Sequence, residues 1–547
     1  MDSVHWDEEC DIVVAGSGGG LAGAYIAGTA GQHTIVLEST DKFGGMTCYS
    51  GGGFWMPGNH VNARAGLDDS NERALEYFQM IVGNPDDVDR QRAFVRTGPS
   101  LVAELEKSEH LPFTWVPFPD YYADRGPPAH SIGRDIFPLP LPIEELGDLS
   151  DKLRLSMAAD ITGEPEPEPL SGGRALVARL LLAVRSTGHA ELRLNSALQD
   201  VVFEDGRVTG VVVSTSKGER RILARRGVLI ATGGFERNQA MRDEFGVPGD
   251  AGLTAGAPGA QGGGIRAGVA AGGDIGLMDE CWWMPGVIQP SGRSGFIAAL
   301  NGGVMVNIGG ERFANESMPY DRFGRELVKQ EPKPGTNIRA WWIWDGRFGE
   351  TLPAVYNPMP ILPFAEYEAA GLWHKADTLA ELAAKIGAPP ETLTATIERF
   401  NGFAASGVDA DHHRGEAPYD RYLATEMPKL FGMQDATPVG SPNPSLFPVT
   451  EGPFYAAALG LGDLGTKGGL RTDADARVLR ADGSVIEGLY AAGDAMASVT
   501  GHHYPAPGSP IGTCMVFSYR AVMNMMGRSD EIAFDTPLLT APLTAAA

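Results

Sequence analysis

The chain is poor in cysteine, poor in charge and without any basic excess. Its four cysteines, Cys10, Cys48, Cys281 and Cys514, form neither a CxxC pair nor a CxxCH haem signature. That spacing gives no thiolate pair for zinc, iron–sulfur or haem chemistry, so no metal site is expected and the thiols read as free and buried. Charged residues make up 21% of the chain, and 69 acidic against 44 basic residues leave a net charge of −25. Nucleic-acid binding needs a basic footprint, which is missing. The longer apolar runs, such as Ala175–Val184, fall well short of the ~20 residues that span a bilayer. The stretch MDSVHWDEECDIVVAG starts acidic and lacks a signal-peptide pattern. A cytoplasmic location is expected, with peripheral membrane contact through a local apolar patch left open. There is no internal repeat and no G-X-Y period.

Glycine is present in excess, 72 residues in 547, against a usual share of roughly 7%. With 43% hydrophobic residues the chain can bury a large core, so the glycine must serve backbone geometry: tight turns, positive φ, or main chain brought close to a ligand. One cluster has a recognisable setting. The β-rich run Asp11–Ala15 ends in Gly16-Ser-Gly18-Gly19-Gly20, an alanine-rich helical stretch follows, and a second run, Thr34–Leu37, ends in Glu38. Counted from Gly18, the pattern Gly18-x-Gly20-x-x-Gly23 is complete; counted from Gly16, its third glycine position holds Leu21. A glycine turn between strand and helix lets backbone N–H groups approach a pyrophosphate, and a carboxylate closing the second strand accepts bonds from ribose hydroxyls. The unit reads as a dinucleotide site.

Further along, residues 110–172 are rich in proline and aromatics and read as an ordered surface insertion. Gly173–Arg185 reads as an amphipathic helix, and Leu192–Ile230 as consecutive short strands with a turn at Glu204-Asp-Gly. Helices are expected near 366–386, 389–406 and 511–527, and the last residues, PLLTAPLTAAA, as a frayed tail.

The loop Gly501-His-His-Tyr-Pro-Ala-Pro-Gly508 holds Tyr504 between glycines and prolines just before the last helix. A rigidly held hydroxyl beside a backbone N–H can converge on one carbonyl oxygen and stabilise it as an enolate. The other reading is a stiff structural loop with Tyr504 in the core. Trp115, Phe118, Trp282, Trp283 and Phe296 would suit a flat, largely apolar ligand or equally a core. His502 and His503 are treated as orienting groups at most.

Phe43-Gly-Gly-Met-Thr-Cys-Tyr-Ser-Gly-Gly-Gly53, Ala231-Thr-Gly-Gly234, Gly465-Thr-Lys-Gly-Gly469 and Glu487-Gly-Leu-Tyr-Ala-Ala-Gly-Asp494 resemble the FAD-binding fumarate reductase superfamily. Within it, Phe118-Pro-Asp-Tyr121-Tyr122, Leu277-Met-Asp…Trp282-Trp283-x-Pro285, Gly310-Glu-Arg-Phe-Ala-Asn-Glu-Ser-Met-Pro-Tyr320 and the His-x-Tyr-Pro-x-Pro-Gly loop resemble the 3-ketosteroid Δ1-dehydrogenases over most of the chain. The resemblance implies an α/β fold: a Rossmann-like FAD-binding domain of glutathione-reductase type (1–277 and 455–547) with an inserted α+β substrate, or capping, domain (278–454). It implies FAD contacts at Gly16, Gly18, Gly19, Gly20, Glu38, Gly44, Gly45, Thr47, Ser50, Gly51, Gly52, Leu198, Gly233, Gly493, Asp494, Ile511 and Gly512. Covalent members carry a His in the segment matching Cys48-Tyr-Ser-Gly; none stands here, so noncovalent FAD is expected. With no second strand–glycine–helix unit, no separate NAD(P)H site is expected.

By the same resemblance, Tyr320 is the base that takes the C2 proton of a 3-oxo-4-ene steroid, with Tyr121 hydrogen-bonded to it and Tyr122 as a substitute. Tyr504 and the Gly508 N–H polarise the C3 carbonyl, and Phe118 and Phe296 contact the steroid. An external electron acceptor is implied, a quinone being one candidate. The alternatives are a fumarate-reductase-like or other enone enzyme, for which Arg312, Arg322 and His502 would have to grip carboxylates, and a catalytically idle flavoprotein.

Overall fold

The computed structural model describes residues 5–533 except 85, 86, 164, 166, 298, 301, 357–361 and 431–440; the expected frayed tail lies outside them. The apolar runs near the start become central strands. Glu8–Ala15 pairs in parallel with Thr34–Leu37 on one side and Gly218–Ile230 on the other, with Val13 opposite both Ile35 and Val228. Ala190–Arg193 extends the sheet beyond Thr34–Leu37, and Val485–Ala491 lies parallel to Gly218–Ile230 with antiparallel Arg477–Leu479 at its far side. Ser196–Glu204 and Arg207–Thr215 form a meander that joins through Gly218–Ile230, turning at Asp205 and Gly206, both at positive φ. A strand buried on both faces reads as continuous Val and Ile, as Asp11–Ala15 does.

The helix Gly20–Thr29 is almost wholly buried, sandwiched with Gly172–Ser186 and Ser509–Met525. A second, antiparallel sheet is centred on Phe454–Thr466, which pairs with Cys281–Ile288, Ile338–Trp344 and Trp373–Ala376. Trp341, Trp342, Trp344 and Trp373 are buried in and around it. The stretch expected as one helix near 366–386 is instead Phe364–Ala369, strand Trp373–Ala376 and Leu379–Ile386. Gly371, at φ +69°, ends the first helix, and Thr378 opens the second with a capping box. Pro390–Ser406 and Ser509–Met525 follow the sequence reading closely.

The proline-rich insertion contributes to a third, smaller sheet. Phe113–Trp115 and Phe54–Trp55 flank Asp135–Pro138 in a small sheet. Arg134 pins it internally, pairing with Asp69 at 3.0 Å and with Asp120. Among the described residues no helix is long and apolar enough to cross a membrane.

Candidate active site

The ends of the parallel strands converge on a cradle of backbone. Gly16 leaves the first strand at φ +114°, where a Cβ would lie 2.0 Å from the Ala231 carbonyl oxygen; no side chain fits. The Ser17 hydroxyl donates to Glu38 at 2.5 Å and accepts from the Gly44 N–H at 2.9 Å, tying the glycine loop to the second strand and to the 44–53 loop. Glu38 also accepts from the Thr40 N–H and hydroxyl, each at 2.9 Å. Gly19, the residue before the first helix, supplies no side-chain cap; the Leu21 and Ala22 N–H groups turn back to the Gly18 and Gly19 carbonyls at 3.1 and 3.2 Å, which leaves the Gly19 and Gly20 N–H groups for another acceptor. Gly19 has a second duty: a Cβ there would lie 2.6 Å from Cys514 Sγ in the last helix. The loop is therefore glycine-rich for helix packing as well as for a ligand.

Gly18 lies against Thr47, Gly493 against Cys514, and Ser50 closes its own turn through the Thr47 carbonyl at 2.7 Å. Among the described residues, no heavy atom beyond the chain neighbours lies within 4 Å of the Cβ positions of Gly45, Gly51 and Gly233, and the buried Thr232 hydroxyl has no partner. Gly52 is different, with Gly172 backbone at 2.2 Å. Gly20 packs on Ala231, Leu198 is buried on the strand Ser196–Glu204, and Ile511 and Gly512 stand in the first turn of the last helix. Asp494 accepts from the Trp282 indole N–H at 2.9 Å; burial pushes its carboxyl up to about 6, against the pull of that bond and of Lys467. Open glycine backbone, an uncapped helix start and a carboxylate closing the second strand fit an extended dinucleotide.

Beside this cradle three tyrosines from three distant segments meet. Tyr320 opens the helix Tyr320–Val328. Tyr121 is fastened to the other loop by its N–H, which donates to the Pro505 carbonyl at 2.9 Å; the Tyr77 hydroxyl donates to the same oxygen at 2.5 Å. Ring centroids lie 5.6 Å apart for Tyr121–Tyr320, 5.0 Å for Tyr121–Tyr504 and 5.7 Å for Tyr320–Tyr504, all edge to face. Burial raises all three phenols. At Tyr320 the Tyr121 and Tyr504 hydroxyls oppose that rise, but burial prevails and holds the phenol above its ordinary value.

Phe296 stands edge-on to Tyr320 at 4.9 Å, and Trp282 to Tyr504 at 4.8 Å. Trp283, next on the same strand, points the other way and donates to Glu280 at 2.6 Å. Trp115 donates to the Gly133 carbonyl at 3.4 Å. Tyr122 is turned toward His503 and lies under the Arg322 guanidinium, away from the Tyr320 pair. Phe118 packs on Tyr422 at 5.2 Å, and Tyr419 stands 5.4 Å from Tyr121. Those two tyrosines, from the helix Pro418–Thr425, escaped the sequence reading, although Tyr419 and Tyr422 stand at i, i+3 on one helix face. Asp135 escaped it too: its carboxyl is buried with no side-chain partner among the described residues, burial pushes it well above the usual carboxylate range, and ionised it would raise Tyr320, Tyr422 and Tyr504.

Gly508 sits at φ +69° before the helix Ser509–Met525, and its Cβ would lie 2.2 Å from the Gly53 carbonyl oxygen. His502 is paired with Glu280 at 2.6 Å. Arg312 is locked to Glu316 and Asp409, each at 2.7 Å, and Arg322 is bonded to the Tyr121 carbonyl and Asp124. The arginines that a carboxylate clamp would need are thus committed elsewhere.

Residues 11–511 match the family model for an FAD binding domain. The chain is 39% identical to the 3-oxosteroid 1-dehydrogenase of Mycolicibacterium smegmatis, covering 95% of this chain and 97% of that one. It is 35% identical to the 4-oxocyclohexanecarboxylate 2-dehydrogenase of Sinomonas cyclohexanicum, covering 95% and 93%. The crystal structure of 3-ketosteroid Δ1-dehydrogenase from Sterolibacterium denitrificans, in complex with 1,4-androstadiene-3,17-dione, superposes with a TM-score of 0.84 at 30% identity, over 95% of this chain and all of that one.

Proposed function

This chain belongs to the FAD-binding 3-oxosteroid 1-dehydrogenase family, and on that premise we propose that it dehydrogenates 3-oxo-4-ene steroids across C1 and C2, giving 1,4-dien-3-ones. It is an FAD-dependent oxidoreductase of the CH–CH class. The observation that carries the site assignment is the meeting of Tyr121, Tyr320 and Tyr504.

Bound FAD supplies the acceptor for the C1 hydrogen and its electron pair. The chain does the rest. The Tyr504 hydroxyl and the Gly508 N–H donate to the C3 carbonyl oxygen, which acidifies C2 and holds the charge of the developing enolate. The Tyr320 oxygen takes the C2 proton. The Tyr121 hydroxyl, hydrogen-bonded to that oxygen, lowers the cost of its deprotonated form, its own position fixed by Pro505 and by Arg322 on its carbonyl. The electron pair of the C2–H bond becomes the C1=C2 double bond as the C1 hydride leaves. Phe118 and Phe296 would lie against the steroid rings.

We place the cofactor along Gly16, Gly18–Gly20, Glu38, Gly44–Gly52, Leu198, Gly233, Gly493–Asp494 and Ile511–Gly512, held noncovalently. In this reading 1–277 and 455–547 form the FAD domain and 278–454 the capping domain. The strand Phe454–Thr466 crosses that boundary within the capping sheet. An external acceptor, for which we take a quinone, reoxidises the flavin.

The relatives act on two kinds of cyclic ketone by name, a steroid and a cyclohexanone carboxylate. The aromatic lining, the engaged arginines and the partnerless Asp135 favour the uncharged, flat substrate. Anaerobic addition of 4-androstene-3,17-dione to the purified yellow protein tests this. Bleaching of the flavin with formation of a 1,4-diene is expected. An unchanged spectrum with several 3-oxo-4-ene steroids, and bleaching by 4-oxocyclohexanecarboxylate instead, would overturn it.

A further inference from the structure

We propose that Lys467 is a positioning residue for the Tyr504 hydroxyl, fixing its loop through His503 and its ring through Trp282. The inference rests on the role given to Tyr504 above.

Lys467 is wholly buried, and among the described residues it forms no ion pair within 4.0 Å. Its ammonium does two other things. Nζ donates to the His503 carbonyl oxygen at 2.6 Å, on the residue immediately before Tyr504. It also lies 4.2 Å from the centre of the Trp282 ring, and that ring stands against Tyr504 at 4.8 Å. Trp282 is held in turn by Asp494 at 2.9 Å. The backbone of Lys467 is anchored on both sides, its N–H on the Glu280 carbonyl at 2.8 Å and its carbonyl under the Ser498 N–H at 3.0 Å. One side chain thus reaches Tyr504 by two independent routes, the main chain before it and the aromatic ring beside it.

Burying an ammonium without an ion pair is costly. Burial pushes the Lys467 amine down to about 7, while Asp321, Glu280 and Asp494 favour the charged form and Arg325 opposes them. An apolar side chain would fill the same space at lower cost. In its charged form the amine adds a charge-assisted bond to a carbonyl, roughly twice as strong as a neutral one, together with attraction to an indole face. Both hold the hydroxyl still, and a donor displaced by ~1 Å loses on the order of 10²-fold in rate. Elsewhere the loop is held at the Pro505 carbonyl by the Tyr121 N–H and the Tyr77 hydroxyl, from outside the second sheet, and His502 reaches Glu280 from a largely exposed position.

The test is a double-mutant cycle, read as anaerobic flavin reduction per bound FAD by 4-androstene-3,17-dione. Lys467→Met should slow reduction by about 10- to 100-fold with KM changed less than about threefold. In a Tyr504→Phe background the same change should add less than about threefold, because the lysine acts through the missing hydroxyl. If Lys467→Met does not fold, Lys467→Gln is read by the same cycle and criteria. A wild-type rate in the single variant overturns the proposal, as does a full multiplicative loss in the Tyr504→Phe background. A folded variant that binds no FAD also overturns it, since the lysine then serves the cofactor cradle. Tyr504→Phe slow with Lys467→Met fast sinks this inference alone; Tyr504→Phe at wild-type rate sinks the proposed function and this inference with it.

Discussion

Gly508→Ala should abolish most of the activity while leaving a folded flavoprotein. Two costs add at this position. The backbone is left-handed at φ +69°, which costs an L-residue about 1–2 kcal/mol. The new Cβ would also stand 2.2 Å from the Gly53 carbonyl oxygen and 2.5 Å from Phe54 Cα, more than ~1 Å inside ordinary contact. The strand side cannot yield. Phe54 is fully buried and paired with Ile136, and Gly53 is backed by the Phe137 ring, which would lie 2.3 Å from a Cβ added there. The helix start must therefore move, carrying the Gly508 N–H away from the carbonyl oxygen it is proposed to share with Tyr504. A shift of that size, removing one carbonyl donor, predicts a loss of about 10²-fold, or ~2.7 kcal/mol of barrier. Gly501→Ala is the matched control. It has φ +53° and only Val82 Cγ1, at 3.6 Å, near its Cβ, so it bears the strain without the clash. Both variants should lose thermal stability, but only Gly508→Ala should lose flavin reduction per bound FAD. Equal rates for the two variants, within about threefold, would refute the argument that Gly508 is required for its N–H position.

Tyr320→Phe removes the proposed base and should cut flavin reduction by about 10²–10⁴-fold with FAD still bound; a wild-type rate would remove Tyr320 from its role. Acid precipitation should release all the yellow colour into the supernatant, and colour left in the pellet would contradict noncovalent FAD. Saturating FAD at about 100 times its Kd should stabilise the apoprotein by about 2.7 kcal/mol, seen as a higher Tm; an unchanged Tm would count against the cradle. Glu236 supplies a pH test. Burial, with help from Asp494 and Asp463, raises its carboxyl to about 8. The unfolded chain ionises this group near ~4.3, so its contribution to stability is fully present below that pH and is lost as pH rises through about 8. Glu236→Gln should therefore gain in Tm over the wild type at pH 9 relative to pH 5, and a pH-independent difference would refute the shift.

What could be read from the sequence was local and contiguous. Gly16–Gly20, the 44–53 run and the Tyr504 loop each carry their geometry within a few residues, so strand, turn and helix start could be placed before any packing was known. The double duty of Gly19 could not, because Cys514 lies almost 500 residues away in sequence and only the buried helix pair brings them together. The same holds around the tyrosines. Tyr419, Tyr422 and Asp135 have no motif of their own; their chemistry arises from neighbours supplied by other elements, Phe118 for Tyr422 and Tyr121 for Tyr419. Lys467 was in view as part of a glycine motif, yet its side chain gains meaning only where the end of the second sheet meets the loop before the last helix. The broken helix at 364–386 fails for the complementary reason. Its residues favour helix locally, but Trp373 is drawn into the second sheet opposite Ala457 and stacks on Tyr367 at 4.2 Å. Burying a tryptophan there outweighs the small helical preference of the residues around it. The reach of sequence reasoning in this protein thus follows the range of the interaction: backbone geometry is written locally, whereas the perturbed acids, phenols and amine depend on what tertiary packing places beside them.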